Sequence, residues 1–274
     1  MSEHREFFLT RIWDEEAEPD NPFAAAVCRC AGYDVYGDLL GKASWIEYLF
    51  LLLTLERPDA HQAALLDGLA VALANPGLRD PAVHAAMSAG VGGSTLASCL
   101  MAALAVGAGQ LGGAREVALA MENWTACGTD LDAWRDRLLN PPVEERADIW
   151  SPIEHPPGFD PHGAICPTPV RQSLAFLASR SPGRILSWLN DHRANLESIV
   201  QYPLAMTGVA AAAFVDLGFS SQQGEMLFLL LRLPGAAVHA LEQQRYGWRK
   251  FPFFADGVKL TNDPMSGSHS STKT

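Results

Sequence analysis

Residues 81–114 read PAVHAAMSAGVGGSTLASCLMAALAVGAGQLGGA and contain no Asp, Glu, Lys or Arg. By length alone, such a stretch could cross a membrane. Its middle, however, consists of Ala, Gly, Ser and Cys instead of Leu, Ile and Phe, and its seven glycines interrupt any continuous apolar helix. Small residues let helix backbones approach closely. We therefore predict a helix buried in a core or at a subunit interface, and no membrane span.

The sequence before this stretch predicts two amphipathic helices. Ser44, with Glu47 three residues later, is typical of a capping box, and the helix that it opens is expected to stop near Arg57. Asp59 is placed to start the second helix, which a Pro76-Gly77 pair ends. Residues 1–24 predict an extended arm with a turn over residues 19–22.

The sequence after this stretch also predicts helices. The glycines of residues 107–113 indicate a loop before a charged helix that begins near Arg115. The proline-rich residues 140–170 indicate a long ordered loop or the lining of a cleft, and residues 265–274 a solvated tail. Further helices are predicted over residues 172–179, 183–192, 196–202, 206–217, 225–231 and, opened by a Pro-Gly pair, 237–244. Strand patterns are nearly absent, so the predicted fold class is all-α.

Composition and charge exclude some classes of function. The net charge is −11 and the pI is about 5.1, which does not support a general attraction to nucleic acid or to an anionic membrane. The first residues are charged where a signal peptide needs an apolar run, and the odd number of cysteines lacks the spacing of a disulfide framework. We therefore expect a reducing, cytoplasmic environment. The cysteines are Cys28, Cys30, Cys99, Cys127 and Cys166.

Three sequence blocks carry a resemblance to a known family. The first is Gly41–Leu55 followed by Ala64–Ala74, and the second is Ala105–Glu116 with its Gly-Gly-Ala turn. The third runs from Asp216 to Gln243 and contains the pattern Arg-x-x-Gly-x-x-x-His at residues 232–239. In order and spacing these blocks resemble the citrate synthase and citryl-CoA lyase family, over most of residues 40–245.

The resemblance implies an architecture and an activity. We expect a large helical domain from residues 1–115 and 204–274, interrupted by a small helical domain from residues 116–203, with the ligand in the cleft between them. The family acts on a coenzyme A thioester and a citrate or 2-oxo acid type of carboxylate, forming or cleaving a carbon–carbon bond. Coenzyme A would thus be a substrate, with no permanently bound cofactor and no metal. The resemblance also implies a homodimer in which each subunit completes the other's site.

The catalytic groups of the family are only partly matched. A carboxylate, an enol-stabilising histidine and a ketone-polarising histidine are required. Pro76 stands at the place of the first histidine and Leu111 at that of the second, where Gln110 is the neighbouring hydrogen-bond donor. Asp160 is then the candidate base, in an Asp-Pro pair that His162 follows. Gln110, His162 and His155 are the candidates for substitute hydrogen bonds.

The candidate substrate-binding residues each have a plain alternative. Arg232 matches the family arginine that holds a citrate carboxylate, but it could equally be an arginine at a helix end. His155 and His239 are possible ligand contacts, with simple packing as the alternative for His239. Arg249, after an aromatic segment, either reaches a partner's site or lies at the surface.

Three functions remain open from the sequence. The first is a divergent enzyme on a CoA thioester, and the second is a catalytically silent relative that binds coenzyme A or a tricarboxylate or serves as a partner subunit. The third is a zinc hydrolase, because metal-capable side chains are densest in one segment, although their spacing matches no strong motif. Those side chains are His155, Asp160, His162 and Cys166.

Overall fold

The computed structural model describes residues 9–142 and 155–251. The rest of the predicted arm, the middle of the proline-rich segment and the predicted tail lie outside the described residues. An N-terminal sheet contains β1 Asp14–Glu18, β2 Asn21–Cys30 and β3 Tyr33–Asp34. The helices are α1 Trp45–Thr54, α2 Ala60–Leu73, α3 Pro81–Val91, α4 Leu96–Gly107, α5 Ala114–Cys127, α6 Leu131–Leu139, α7 Thr168–Arg180, α8 Ile185–Val200, α9 Met206–Asp216 and α10 Ser221–Tyr246. A π-helical turn at Val35–Leu39 and a 3₁₀ turn at Trp248–Lys250 complete the described part. The all-α prediction is confirmed, with one small sheet as an addition.

The sheet corrects the prediction of an extended arm. β1 and β2 pair as an antiparallel hairpin around a turn at Pro19 and Asp20, which is the predicted turn, and β3 adds a short third strand. Every residue of β1 is exposed, and β2 becomes buried only at its end. Because the hairpin has no buried face along most of its length, its sequence shows no alternation of apolar and polar residues.

The predicted helix starts before the charge-free stretch are confirmed. Ser44 and Glu47 form a reciprocal capping box at α1, and Asp59 forms one with Gln62 at α2. α1 ends at Thr54, three residues before the predicted stop near Arg57, and the capping residue Leu55 adopts a left-handed backbone conformation. Local cap chemistry thus determines where these helices begin.

The charge-free stretch contains two short helices instead of one. α3 has 11 residues and α4 has 12, and each is well below the roughly 20 residues needed to span a bilayer. They pack on each other and on α10 around a core of small residues. A Cβ at Gly90 would lie 3.2 Å from the carbonyl oxygen of Ala240, so the close approach of the backbones depends on this glycine. The prediction of close packing is confirmed, whereas the prediction of burial holds only in part, because Leu96, Met101 and Val106 of α4 are exposed.

α10 corrects a predicted helix break. It runs without interruption through Pro234, where a new helix was expected to open. The N–H of Gly235 donates to the carbonyl oxygen of Ala74, 2.7 Å away, so a neighbouring chain segment takes up a bond that the helix loses near its proline. α8 is likewise one helix where two were predicted. By length and composition α10 could cross a membrane, but it packs on α3, α4 and α5.

Two apolar clusters hold most of the helices together, and a third, of Cys30, Leu39 and Leu51, joins the sheet and the π-helical turn to α1. The main core joins α1, α2, α5 to α9 and the first half of α10, and every residue from Thr207 to Phe214 of α9 is buried. The second core joins α3, α4, the second half of α10 and Phe251. All five cysteines are buried and free. The predicted division into domains at residues 115 and 203 stays a prediction.

Candidate functional site

Glu116, in the first turn of α5, is a buried carboxylate that binds three separate chain segments. Its side chain is 1% exposed. Oε1 accepts from the Gly158 N–H at 3.0 Å and from the Thr207 hydroxyl at 2.7 Å, while Oε2 accepts from the Gly112 N–H at 2.6 Å. Hydrogen bonds to an ionised acceptor are stronger than neutral ones. Glu116 therefore ties the glycine turn, the segment after residue 154 and the start of α9 to one point.

Glycines allow these segments to come close enough. Gly112 has a φ of +70° and Gly158 a φ of +93°, conformations that other residues rarely adopt. A Cβ at Gly208 would lie 2.5 Å from the Gly158 carbonyl oxygen, so no larger residue fits where α9 meets this segment. These glycines thus allow the backbone conformations and close contacts that the segments around the Glu116 carboxylate need.

Arg232 of α10 is paired inside the protein with Asp80. One guanidinium Nη donates to an Asp80 carboxylate oxygen, and the other donates to the Gly112 carbonyl oxygen at 3.0 Å. The two charged side chains are 11% and 12% exposed. Burial lowers the pKa of Arg232 from its usual value, and the neighbouring Asp80 charge opposes this shift. The other Asp80 oxygen caps α3 by accepting the N–H groups of Ala82 and Val83.

These contacts form one connected set of polar groups. Gly112 donates its N–H to Glu116 and accepts from Arg232 on its carbonyl, so it joins the two charged side chains. We call Asp80, Arg232, Gly112, Glu116 and Thr207 the polar chain. A void of about 10 Å³ between α3, α4 and α10 is bordered by Asp80 and Arg232, with room for about one water molecule.

His155 lies beside the polar chain. Its side chain is 2% exposed, and its Nε2 is 3.6 Å from Oε2 of Glu116. Neither ring nitrogen has a hydrogen-bond partner within residues 9–142 and 155–251. A buried polar atom without a partner is unfavourable.

Asp160, the predicted base, lies two residues beyond the glycine that binds Glu116. Its N–H donates to the Pro203 carbonyl oxygen at 2.8 Å, and its Oδ1 accepts from the His162 N–H at 2.9 Å. The second contact makes a local turn, which is the plain alternative weighed for this residue. The His162 residue itself is exposed. The catalytic roles of Asp160 and His162 stay predictions.

The positions that would carry the family histidines each lie next to a residue that α10 contacts. Leu111 is exposed and Gln110 half-buried, directly before Gly112. Pro76 follows Asn75, whose side-chain oxygen is 3.1 Å from Nε2 of His239. The end of α2 therefore contacts the Arg-x-x-Gly-x-x-x-His segment, and the structure brings the three resembling sequence blocks together.

Two further predicted features lie apart from this assembly. Arg249 packs over the Trp248 ring beyond the end of α10, about 20 Å along the helix from Arg232. The zinc alternative finds no support in the part of the chain that the structure describes, where no group of three His, Cys, Asp or Glu side chains is placed to hold a metal. Cys166, one of its proposed ligands, is buried beside the Leu204 carbonyl oxygen, and burial raises the pKa of its thiol.

The sequence analysis did not identify Glu116, Asp80 or Thr207 as site residues. Glu116 appeared only as the last residue of a resembling block, although an acidic residue two positions after a Gly-Gly-Ala turn could have been read as a carboxylate for the turn's N–H groups. Asp80 before Pro81 was a visible helix cap. Thr207 gave no signal in its Ala-rich helix.

Breaking the Asp80–Arg232 pair should cost considerably more stability than breaking a surface pair. We expect Asp80→Asn, which keeps an N-capping side chain, to lower the free energy of unfolding by about 3 kcal/mol, because a buried guanidinium loses its counter-charge. Denaturant unfolding measures this loss. Adding Arg232→Met should recover part of it.

The matched control is Asp132→Asn, which removes the partner of the exposed Arg135. This change should cost less than about 0.5 kcal/mol. Equal losses for Asp80→Asn and Asp132→Asn would contradict a buried, energetically coupled pair.

Among the comparisons with known proteins, the one with solved structures identifies the fold. No protein-family model matches the sequence, and no curated protein matches it. Citryl-CoA lyase from Hydrogenobacter thermophilus has a similar structure, with a TM-score of 0.69 and 18% identity over 94% of this chain and 96% of that chain. ATP citrate lyase from Methanothrix soehngenii, solved with citrate and coenzyme A, gives 0.69 and 19% over 97% of this chain. A mutant of Methanosaeta concilii ATP citrate lyase, in complex with (3S)-citryl-CoA, gives 0.70 and 17% over 96%.

The extent of these matches differs. This chain covers 43% of each of the two ATP citrate lyase chains but nearly all of the citryl-CoA lyase chain. The sequence resemblance and the structural similarity thus lead to the same fold. The chain has the helical fold of citryl-CoA lyase, a citrate synthase-like fold.

Proposed function

We propose that the protein binds a coenzyme A thioester together with a citrate or 2-oxo acid type of carboxylate, and forms or cleaves a carbon–carbon bond between them. The observation that carries the proposal is the similarity to citryl-CoA lyase over nearly the whole of both chains. Two of the similar structures hold citrate with coenzyme A, or citryl-CoA. The contacts that α10 makes with the other two resembling sequence blocks support it.

The proposed roles follow from the side-chain chemistry. In the bond-forming direction Asp160 takes a proton from the methyl group of an acyl-CoA, and the resulting carbanion attacks the ketone carbon of a 2-oxo acid. The ketone double bond opens to an alkoxide, which takes a proton from solvent to give the hydroxyl of the product; cleavage is the reverse. Gln110 and His162 supply hydrogen bonds to the developing oxyanions. Arg232, with five N–H donors of which Asp80 and Gly112 take two, retains donors for a ligand carboxylate.

The expected turnover is slow. Pro76 and Leu111 offer no side-chain hydrogen bond where the family has histidines. Loss of one donor to a developing oxyanion typically lowers turnover by about 10² to 10³. We therefore propose a weak or altered activity.

The second candidate is a catalytically silent member that binds coenzyme A or a tricarboxylate, or that serves as a partner subunit. The observation that favours it is the internal pairing of Arg232, which is engaged by Asp80 and the glycine turn. His155, His239 and Arg249 remain candidates for ligand contacts under both functions.

A second copy of this chain is the proposed partner. Apolar side chains line an exposed face of α10 over about 22 Å, and an uncharged face can pair with itself without burying a charge. They are Met226, Leu230, Val238 and Leu241. Five buried free cysteines support the proposed cytoplasmic location, and the acidic composition gives no reason to propose nucleic acid or a membrane as a partner.

The double variant Leu230→Glu/Val238→Glu should convert a dimer into a monomer, because it places like charges on both sides of the pairing face. Sedimentation velocity measures the change. Val71→Glu, at an exposed apolar position on α2, is the control and should leave the dimer intact. A wild-type monomer at all concentrations would contradict the proposal.

Conversion of citryl-CoA into acetyl-CoA and a 2-oxo acid, or of acetyl-CoA with a 2-oxo acid into the longer thioester, tests the enzymatic function, with the thioesters separated by chromatography. We expect slow conversion by the wild type and none above background by Asp160→Asn, which lacks a base. Asp132→Asn, exposed on α6, should behave as the wild type. Binding of citryl-CoA by calorimetry without any conversion would support a silent member that binds ligand, and absence of both binding and conversion would exclude the enzyme and the ligand-binding member.

A further inference from the structure

We infer that Glu116 is a positioning residue for His155: it determines which ring nitrogen of that histidine carries the hydrogen. The inference begins with the two oxygens of the carboxylate, which together offer about four acceptor positions. Oε1 already accepts from Gly158 and Thr207, whereas Oε2 accepts from Gly112 alone. Oε2 is therefore the oxygen with an acceptor position left, and it is the oxygen nearest to His155.

The histidine ring is placed to use that position. Its Nε2 lies 3.6 Å from Oε2, about half an ångström beyond a hydrogen bond. Both ring nitrogens are buried, and neither has a partner in the described part of the chain. Contacts of this kind are often long without a ligand and tighten when one is present. A small rotation of the ring thus brings His155 within hydrogen-bond distance of the Glu116 carboxylate, whose position is fixed by its three hydrogen bonds.

The hydrogen bonds to Glu116 favour this assignment. Glu116 accepts from three donors within the protein, and none of its contacts in the described part of the chain requires it to donate. A carboxylate beside Nε2 selects the tautomer with hydrogen on Nε2. Nδ1 then carries a lone pair and can accept a hydrogen bond, as the base in a nucleophile–base pair does.

This tautomer specifies the chemistry of the ligand group that His155 can meet. A group that binds Nδ1 must donate a hydrogen bond, so a hydroxyl fits and an ionised carboxylate does not. Resting on the proposed function, this group is the hydroxyl of a citrate-type substrate. The tautomer itself is a property of the protein without ligand and does not depend on that function.

A purely structural role for Glu116 makes a different prediction. If Glu116 only braces the three segments, the histidine tautomer is independent of its charge. Glu116→Gln separates the two: when Oε1 of the amide keeps Gly158 and Thr207, its NH₂ replaces Oε2 and gives up the hydrogen bond from the Gly112 N–H. An NH₂ group next to Nε2 is a donor, which favours hydrogen on Nδ1 instead.

The test is a long-range ¹H–¹⁵N correlation spectrum of the imidazole rings in the ligand-free full chain, at about pH 9, where imidazoles are generally neutral. The His155 signals are assigned by their loss in His155→Gln. We expect hydrogen on Nε2 in the wild type and on Nδ1 in Glu116→Gln. Thr207→Val removes one hydrogen bond to the Glu116 carboxylate without changing the charge of that side chain, so it should keep the wild-type tautomer.

Hydrogen on Nδ1 in the wild type, or an unchanged tautomer in Glu116→Gln, would overturn the inference. If Glu116→Gln does not fold, the spectra of the wild type and of Thr207→Val decide. No substrate is needed, so a failure to bind citryl-CoA removes the proposed function and leaves this result unaffected.

Discussion

The burial of the Glu116 carboxylate is the constraint on which the rest of this site depends. A charge taken out of water must be paired or hydrogen-bonded, and here the donors come from a glycine turn, from the segment after residue 154 and from the start of α9. Since these segments lie far apart in the sequence, the carboxylate fixes their relative positions. The close contact between Gly158 and Gly208 allows the backbones to reach it.

The second constraint is the position of one positive side chain between two carboxylates in the polar chain. Arg232 lies between the carboxylates of Asp80 and Glu116, bonded to the first and connected to the second through Gly112. A buried pair of this kind contributes little net stability, but losing one partner is costly. The pair also joins α10 to the start of α3. An arginine that resembles a ligand-binding residue is thus simultaneously a structural link between helices.

Local sequence signals predicted much of the fold and less of the site. Ser44 and Asp59 predicted where α1 and α2 begin, because capping depends on residues that are close in the sequence. The small residues of the charge-free stretch predicted close packing of helix backbones. The break expected at Pro234 was wrong, because the bond at Gly235 comes from Ala74, 161 positions earlier. Glu116 escaped notice for the same reason, since two of its partners are 42 and 91 residues away. Contacts between distant residues leave no local pattern.

The central proposal is that the ligand meets the protein at the polar chain. A crystal structure of the full chain with citrate and coenzyme A tests this most directly. We expect a citrate carboxylate bonded to Arg232 and the citrate hydroxyl next to His155, with Glu116 still bonded to Gly112, Gly158 and Thr207. Citrate bound elsewhere, without contact to Arg232 or His155, would contradict it.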